Sequence, residues 1–290
     1  MSPNTASFDA SRIRSLLFVP LLAERLIAGA PKRGADAIIL DLEDAVAPDA
    51  KEAARAALAE TVDRLVAAGQ RVLVRINNEP ELIADDIAAA NGAGLHGIVL
   101  PKAEVADTVA AIVARIAAPA VVPIVESPLG VINALAIARA DARIAALAFG
   151  TEDFALAMGV APEEQALAMP AQQVAIAARA AGKPAFGLPG SLAIIDDIER
   201  FTTIARAGRA IGMTGALTIH PRQVAIANAV FAPGATEIAE AEKIRSIYEE
   251  AMAKGQGAVS LDGRMIDLPI YRRALATLAR APAGDTDHPG

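Results

Sequence analysis

The stretch AIILDLEDAVAPDAKEAARAALAETVDRLVAAGQRVLVRIN, residues 37–77, contains the pattern that decides the fold. It begins with a short run of Ile and Leu, continues with an Ala-rich segment with helical spacing over 49–68, and ends with a second apolar run over 71–77. Continuous apolar strands that alternate with helices are typical of a parallel sheet covered by helices. The stretch therefore predicts a strand–helix–strand unit.

The same unit recurs along the chain. Strand-like runs occur eight times, and each is followed by a helix-like segment such as Glu163–Ala181. The runs are Ser15–Pro20, Ala37–Asp44, Arg71–Asn77, Gly97–Ala103, Val121–Ser127, Ile144–Asp153, Pro184–Pro189 and Gly215–His220. Eight units in a row predict an α/β fold, a TIM (β/α)8 barrel over residues 1–231. An open doubly wound sheet is the alternative, but no GxGxxG motif follows the first strand.

Residues 232–290 form an extension beyond the eighth unit. Two helices are predicted, over Thr236–Gly255 and Leu268–Ala281. Between them, Ala258–Asp267 is predicted to be a hairpin or an irregular strand, with Asp262–Gly263 as the turn signal. The last ten residues, APAGDTDHPG, are predicted to be disordered. A complete barrel has no internal need for this extension. We therefore expect it to pack on the barrel mouth or on a neighbouring subunit.

The composition excludes several classes of protein. The chain has 290 residues, 54% of them hydrophobic, and no cysteine, which excludes a disordered chain, a disulfide scaffold, a thiolate zinc site and a cysteine nucleophile. A net charge of −7 argues against nucleic acid as a partner. No apolar run reaches the roughly 18 residues of a membrane span, and the N-terminus lacks the apolar core of a secretion signal. We expect a soluble cytoplasmic protein with no membrane partner.

Charged residues stand at the carboxyl ends of six predicted strands, where the active sites of TIM barrels lie. They are Asp41, Glu43, Asp44, Arg75, Lys102, Glu126, Glu152, Asp153 and His220. Each of them alone has a simpler explanation: Asp44 precedes a turn, the ammonium of Lys102 can reach solvent, and His220 can cap the last helix of the barrel. As a set they predict one polar rim.

Two of these carboxylates suggest a metal site. Glu126 ends the apolar run VVPIV and has no charged neighbour in sequence, so a buried carboxylate there needs a counter-charge or a metal. Asp153 follows one strand–helix–strand step later, which places it on the adjacent strand. Oxygen ligands without His or Cys favour Mg²⁺. Zinc is not expected, because His96, His220 and His288 are not spaced as ligands and His96 is predicted at the surface.

Arg75 is the candidate for binding an anionic substrate. Its guanidinium is always protonated, and its planar fork suits a carboxylate. The backbone N–H groups of Gly150, Thr151 and Glu152 are further candidates for the same carboxylate. No serine stands in a GxSxG motif, so a nucleophilic triad is not expected.

Eight strings in order carry a family resemblance: RSLLFVP, RGADAIILDLEDAV, VRIN, VLPKAE, PIVESPLGVINA, AFGTEDFALAMG, IHPRQV and GRMIDLP. Over about Arg14 to Ala274 the sequence resembles the HpcH/HpaI aldolase and citrate lyase β-subunit family. It is most similar to the CitE-like branch, which includes malyl-CoA, β-methylmalyl-CoA and citramalyl-CoA lyases. Each string alone is weak, but the combination is specific.

The resemblance implies a TIM barrel that binds magnesium and assembles as a homotrimer or a larger oligomer such as a hexamer. It assigns Glu126 and Asp153 as the metal ligands and Arg75 as the arginine that binds the substrate carboxylate. Glu43 and Asp44 fall where the family has an acidic pair that holds water at the metal.

Three further positions concern the acid and the carrier. Asp267 matches an aspartate that the acyl-CoA lyases of the family take from the neighbouring subunit, and it is the candidate acid. Arg25 and Lys102 are the candidate contacts to coenzyme A. Two segments depart from the family pattern: VPLLAERL follows the first strand in place of a string with Arg-Pro-Glu-Arg, and AFGLPGS stands where the seventh strand often has Ile-Asp-Gly.

The function implied by the resemblance is magnesium-dependent retro-Claisen cleavage of a 3-hydroxyacyl thioester, with a CoA ester as the expected substrate, into a 2-keto acid and an acyl-CoA. A free-acid metal aldolase is one alternative, and the altered VPLLAERL segment keeps it open. A citrate lyase β subunit that works on an acyl-carrier partner is a second. A non-catalytic scaffold barrel is a third, and the set of Glu126, Asp153 and Arg75 argues against it.

Overall fold

The computed structural model describes residues 8–281, so the predicted disordered tail lies outside the described residues apart from Ala281, and His288 lies outside them too. The chain divides into two compact units, Met1–Val230 and Phe231–Gly290. Within residues 8–281, no helix combines the length and the apolar character needed to cross a bilayer.

The first unit is an eight-stranded parallel barrel, as predicted. The strands are β1 Ser15–Pro20, β2 Ala37–Asp41, β3 Val72–Arg75, β4 Gly97–Leu100, β5 Val121–Val125, β6 Leu147–Phe149, β7 Ala185–Phe186 and β8 Ala216–Thr218. They lie in the order β7-β6-β5-β4-β3-β2-β1-β8. A parallel bridge from Phe186 to Gly215 joins β7 to the residue before β8, so the ring closes almost completely.

Helices surround the strands. They are α1 Glu24–Gly29, α2 Lys51–Ala67, α3 Ile83–Asn91, α4 Ala106–Val113, α5 Pro128–Arg139, α6 Thr151–Met158, α7 Glu164–Ala180, α8 Ile198–Ala210 and α9 Pro221–Phe231. In α2, Ala54, Leu58, Val62 and Leu65 are buried at helical spacing, which gives the helix one apolar face. Helix α5 begins where Ser127 accepts a hydrogen bond from the N–H of Gly130 at 3.1 Å.

The barrel interior is filled by apolar side chains. One cluster of buried residues takes at least one member from every strand: Leu16, Ile39, Leu73, Val99, Val122, Ala148, Phe186 and Leu217. Burying a side chain of the size of Leu or Phe stabilises a fold by about 1.5–3 kcal/mol. The packed interior leaves chemistry to the strand ends and to the loops that follow them.

The predicted strands were too long at their carboxyl ends. The second ends at Asp41 rather than Asp44, and the sixth ends at Phe149. Residues Thr151–Asp153 were placed in that sixth strand, but they form the first turn of α6. The apolar runs continue past the last ladder hydrogen bond, so hydropathy alone cannot mark where a strand gives way to a loop.

The second unit contains α10 Ala235–Ala253, a two-stranded antiparallel hairpin of β9 Val259–Leu261 and β10 Arg264–Ile266, and α11 Leu268–Ala279. The predicted turn is present: Asp262 and Gly263 both have positive φ, 49° and 77°, as a two-residue hairpin loop requires. Tyr248 and Tyr271 stack in this unit with ring centroids 4.6 Å apart.

Candidate functional site

The strand register places an arginine beside an aspartate at the carboxyl end of the barrel. Asp41 and Arg75 are partners in the β2–β3 ladder. Arg75 Nε donates to Asp41 Oδ1 at 2.8 Å, and one terminal guanidinium nitrogen donates to Oδ2 at 2.6 Å. The guanidinium also lies 4.8 Å from the ring centroid of Phe18. The bidentate hydrogen bond to Asp41 and the aromatic face of Phe18 together fix the plane of the guanidinium.

Glu43 and Asp44 complete the acidic surroundings of Arg75. The second terminal nitrogen of Arg75 lies 2.8 Å from Glu43 Oε2 and 3.2 Å from Asp44 Oδ2. Glu43 is buried and Asp44 is exposed. Burial opposes the charge of Arg75, but its hydrogen bond to Asp41 and the nearby carboxylates raise its pKa above the ordinary value. Burial also raises the pKa of Glu43, against the opposing effects of Arg75 and Lys102.

Lys102, which follows β4, pairs with Glu43 after β2 and with Glu79 after β3. Its ammonium lies 3.0 Å from Glu43 Oε1 and 2.6 Å from Glu79 Oε1. Hydrogen bonds to these two carboxylates outweigh the effect of burial and raise the pKa of Lys102. Its backbone is left-handed, with φ of 53°, a conformation that costs a non-glycine residue about 1–2 kcal/mol. In this conformation its N–H donates to Glu126 Oε1 at 2.6 Å.

Glu126 follows β5 directly and is buried, with 5% exposure. Burial raises its pKa to about 8; the hydrogen bond from Lys102 opposes this rise, whereas the charges of Asp153 and Glu43 add to it. Gly150 leaves room for this side chain. A Cβ atom at Gly150 would lie 2.5 Å from Glu126 Oε2 and 2.7 Å from Glu126 Cβ.

Helix α6 brings Thr151, Glu152 and Asp153 to the same end of the barrel. The hydroxyl of Thr151 is buried and has no hydrogen-bond partner among residues 8–281. The N–H of Gly150 is already bonded to the carbonyl of Val125, at 3.1 Å. The N–H groups of Thr151 and Glu152 belong to the first turn, where a helix has no internal partner for them. Glu152 itself accepts hydrogen bonds from the hydroxyl of Ser191 and the N–H of Leu192.

The residues around Glu126 fit a hard divalent cation. A buried carboxylate whose pKa is raised partly by a second carboxylate lacks a sufficient counter-charge, and both groups offer only oxygen ligands. No group of three or more acidic or histidine side chains within residues 8–281 is arranged to hold a metal. Magnesium is commonly held by one or two carboxylates, with water and substrate at its other positions. The two-carboxylate arrangement of Glu126 and Asp153 therefore suits Mg²⁺.

Other predicted residues lie elsewhere. Arg25 is exposed on α1 and makes no ion pair with another described residue. His220 accepts a hydrogen bond from the N–H of Arg222 at 3.3 Å, as expected of a cap at the start of α9. In the second unit, Asp267 caps α11, where its Oδ1 accepts from the N–H of Ile270 at 3.2 Å.

His96 was predicted at the surface, and this was wrong. It is 6% exposed, and its Nδ1 accepts a hydrogen bond from the N–H of Val72 at 3.2 Å. Burial, together with the charge of Arg71, lowers its pKa. The residue precedes β4 and lies at the opposite end of the strand from Lys102, so it has no part in the site.

The sequence did not identify several residues of the site. Asp41 was noted as a strand-end charge, but its role as the main partner of Arg75 depends on register. Phe18 and Glu79 carried no signal beyond their position near strand ends. Gly150 is needed for space, which becomes visible only when the neighbouring strand is in place.

A family model described as HpcH/HpaI aldolase/citrate lyase matches residues 14–221. The citrate lyase subunit beta of Leuconostoc mesenteroides subsp. cremoris is 32% identical over 93% of this chain and 93% of its own length. A (3S)-malyl-CoA thioesterase of Cereibacter sphaeroides is 36% identical over 95% of this chain and 96% of its own length. These relatives span nearly the same length as this chain.

A solved structure has the same fold. The crystal structure of CitE from Mycobacterium tuberculosis in complex with magnesium, acetoacetate and coenzyme A superposes with a TM-score of 0.77. The two sequences are 29% identical, and the match covers 92% of this chain and 97% of that one.

Proposed function

The chain belongs to the HpcH/HpaI aldolase/citrate lyase family, and from this membership and the site geometry we propose that it is a magnesium-dependent carbon–carbon lyase. Its substrate is a 3-hydroxyacyl thioester of coenzyme A, of the malyl, methylmalyl, citramalyl or citryl type. Cleavage gives a 2-keto acid and an acyl-CoA. The ion and the carrier are taken from the CitE structure in complex with magnesium and coenzyme A.

One observation carries the proposal: a fixed guanidinium, the buried carboxylate of Glu126 and the exposed carboxylate of Asp153 share one rim of the barrel. Arg75 would bind the carboxylate of a 2-hydroxy or 2-keto acid through the guanidinium donors that Asp41 does not occupy. Glu126 and Asp153 would hold the magnesium ion, which would polarise the oxygens of the substrate and favour loss of the hydroxyl proton. A scaffold protein has no need for an uncompensated buried carboxylate such as Glu126, which is costly to keep.

Arg75 has limited room for a further anion. Its Nε and one terminal nitrogen are bonded to Asp41, and its other terminal nitrogen is near Glu43 and Asp44. The substrate carboxylate therefore binds the remaining donors or displaces Asp44, which is the exposed member of the pair. Asp41 stays bonded because it is buried and paired through the strand register.

Two acidic groups handle protons in the proposed reaction. Glu43 accepts the proton of the 3-hydroxyl, since burial raises its pKa and makes it a stronger base than an exposed carboxylate. The C–C bond then breaks, and its electron pair passes to the thioester as an enolate. Asp267, with its cap position at α11, is the proposed acid that protonates the enolate carbon, supplied by a neighbouring subunit of a homotrimer or hexamer.

The carrier is proposed to contact Arg25 and Lys102. Arg25 is exposed, so a phosphate can reach it. Lys102 would have to leave Glu43 and Glu79 to do the same, because its ammonium is paired with both. Its role in neutralising Glu43 has stronger support than its role as a coenzyme contact.

A thioesterase is the second candidate, because the relative with 36% identity is named a (3S)-malyl-CoA thioesterase. The two reactions differ in the bond that breaks. A lyase cleaves C–C and leaves the thioester intact, whereas a thioesterase hydrolyses the thioester and frees the thiol. Product analysis therefore separates them.

The test is to incubate the protein and Mg²⁺ with malyl-, methylmalyl-, citramalyl- and citryl-CoA and with the corresponding free acids. Keto acid is trapped with phenylhydrazine, acyl-CoA is quantified by chromatography, and free thiol is titrated. The proposal requires equal amounts of keto acid and acyl-CoA without free thiol. Free thiol with hydroxy acid would favour the thioesterase, and cleavage of free acids alone would favour an aldolase. If every substrate stays intact, the proposal is rejected; citryl on an acyl-carrier protein then tests the citrate lyase alternative.

A further inference from the structure

A buried lysine holds the loop that carries Glu43. Lys51, the first residue of α2, is 8% exposed. Its ammonium donates to the carbonyl of Leu42 at 2.7 Å, to the carbonyl of Glu43 at 2.6 Å and to Asn77 Oδ1 at 2.8 Å. An ammonium has three donors, so all of them are used. Two of the three fix consecutive carbonyls of the loop.

The network continues to the helix after β3. Asn77 donates from its side chain to the carbonyl of Leu42 at 2.9 Å and to Asp86 Oδ2 at 2.7 Å. Its backbone N–H donates to the same oxygen at 2.7 Å. Asp86 is fully buried, and its other oxygen accepts from Arg55 Nε at 2.6 Å. The network therefore joins the loop after β2 to α2, to the loop after β3 and to α3.

This arrangement is costly for a purely structural link. Lys51 makes no ion pair with a described residue, so neutral oxygens alone satisfy a buried cation. Such a group is retained only where the surroundings satisfy it completely, and apolar residues often stabilise a fold as well or better. Its geometry has a specific result, because it fixes the two peptide carbonyls on either side of the Glu43 Cα.

We propose that Lys51 is a positioning residue that acts through Glu43. For its kinetic consequence this inference rests on the proposed function, in which Glu43 accepts a proton from the substrate. Arg75 depends less on the network, since Asp41 holds it from within the β2–β3 ladder. Glu43 lies beyond the end of β2, so the loop sets its position. Loss of Lys51 should therefore lower kcat more than it changes KM.

Lys51→Met has a matched control in Lys183→Met. Lys183 also donates to backbone carbonyls, those of Ala138 at 2.7 Å and Asp141 at 3.4 Å, but it precedes β7 at the opposite end of the barrel. We expect Lys51→Met to lower kcat about 10- to 100-fold, which is the usual effect of losing a residue that orients a metal ligand or a catalytic group. Lys183→Met should leave kcat unchanged. Lys51→Gln, which keeps a donor on a shorter arm, should give a smaller loss, and it decides the question if Lys51→Met does not fold.

A double-variant comparison separates positioning from general damage. In a Glu43→Gln background, Lys51→Met should cost less than about twofold more, because the group through which it acts is already lost. A further loss as large as in the wild type would overturn the inference. So would an equal loss of kcat in Lys183→Met.

Hydrogen exchange tests the same inference without any substrate. The N–H groups of Glu43, Ala45 and Val46 are bonded within the loop, to Asp41 Oδ1, Asp41 Oδ2 and the carbonyl of Glu43. Peptides that cover this loop should exchange at least about tenfold faster in Lys51→Met than in Lys183→Met. Equal exchange would overturn the inference even if the lyase reaction is confirmed. If the wild type proves inactive as a lyase, the proposed function fails separately, and exchange alone decides whether Lys51 positions the loop.

Discussion

Substitution of Gly150 by Ala directly tests whether Glu126 belongs to the metal site. The added Cβ would lie 2.5 Å from Glu126 Oε2, 2.7 Å from Glu126 Cβ and 3.0 Å from Ile124 Cγ2. Ordinary van der Waals contact begins at 3.4 Å, so the carboxylate has to move by about 0.9 Å. Because Lys102 holds the other carboxylate oxygen at 2.6 Å, the side chain cannot turn away without losing that hydrogen bond.

The expected effect is a weaker metal site with a modest loss of stability. A ligand displaced by about 1 Å should lower magnesium affinity and kcat/KM by about 10- to 100-fold. Overpacking of this kind costs about 1–3 kcal/mol of unfolding free energy. Gly92→Ala is the control, because its Cβ would meet only the carbonyl oxygen of Ala89 at 3.6 Å and that of Ala88 at 4.0 Å.

The measurements are calorimetric titration with Mg²⁺, turnover as a function of Mg²⁺ concentration, and urea unfolding of the wild type and both variants. Gly92→Ala should behave as the wild type in all three. A folded Gly150→Ala protein with unchanged magnesium affinity would refute the assignment of Glu126 as a ligand. A loss of affinity in both variants would show that the effect is not local.

Three further predictions follow from other contacts. Arg75→Lys should lower kcat/KM almost as much as Arg75→Ala, by about 2–5 kcal/mol in transition-state free energy, because a lysine cannot form the fork to Asp41; near-normal kinetics would exclude Arg75. His96 has a folded pKa below its unfolded value, so its contribution to stability is present above about pH 6.5 and is lost as pH falls. In urea unfolding at a series of pH values, the unfolding free energy of the wild type should therefore rise with pH more steeply than that of His96→Gln, by up to about 1.4 kcal/mol per pH unit. Parallel plots of unfolding free energy against pH for the two proteins would contradict this. Mixing inactive Glu126→Ala and Asp267→Ala chains should restore about a quarter of the sites of a trimer if the acid comes from a neighbour; no recovery after proven subunit exchange would place the acid in its own chain.

The periodic pattern was sufficient to predict the barrel. Each strand is a short apolar run, and each Ala-rich segment presents one apolar face, so local signals and the global fold agree. The carboxyl ends were harder to predict, because Leu42 and Gly150 continue the apolar character of their strands although they lie in loops. The strand boundaries were therefore least certain at the carboxyl ends, which is where barrel enzymes place their catalytic residues.

The site was predictable as a set of residues and not as a set of contacts. Strand ends brought Glu43, Arg75 and Glu126 to one rim because parallel strands share a direction. Which carboxylate pairs with Arg75 depends on register, and the ladder selects Asp41. Hydropathy does not contain that information, since a shift of register changes the partner without changing the pattern.

Lys51 shows a different limit of sequence interpretation. A lysine in the string PDAKEAAR at the start of a helix reads as a solvent-exposed residue, and most lysines are exposed. Its burial arises because α2 packs beside α3, which brings the network of Asn77 and Asp86 against the loop. A contact made between two separate β/α units has no local signature.

The charge balance of the rim gives an independent reason to expect a cation. Six carboxylates surround it, and among residues 8–281 only Arg75 and Lys102 form ion pairs with their oxygens. The carboxylates are Asp41, Glu43, Asp44, Glu79, Glu126 and Asp153. Glu126 is mostly protonated at neutral pH because its pKa is raised to about 8, so with the other five ionised the formal charge is 2 − 5 = −3. Anionic substrates would be repelled by such a rim, so a divalent ion has to reduce this charge before Arg75 can hold a carboxylate. Substrate binding should therefore depend on magnesium even in variants whose chemistry is blocked at Glu43.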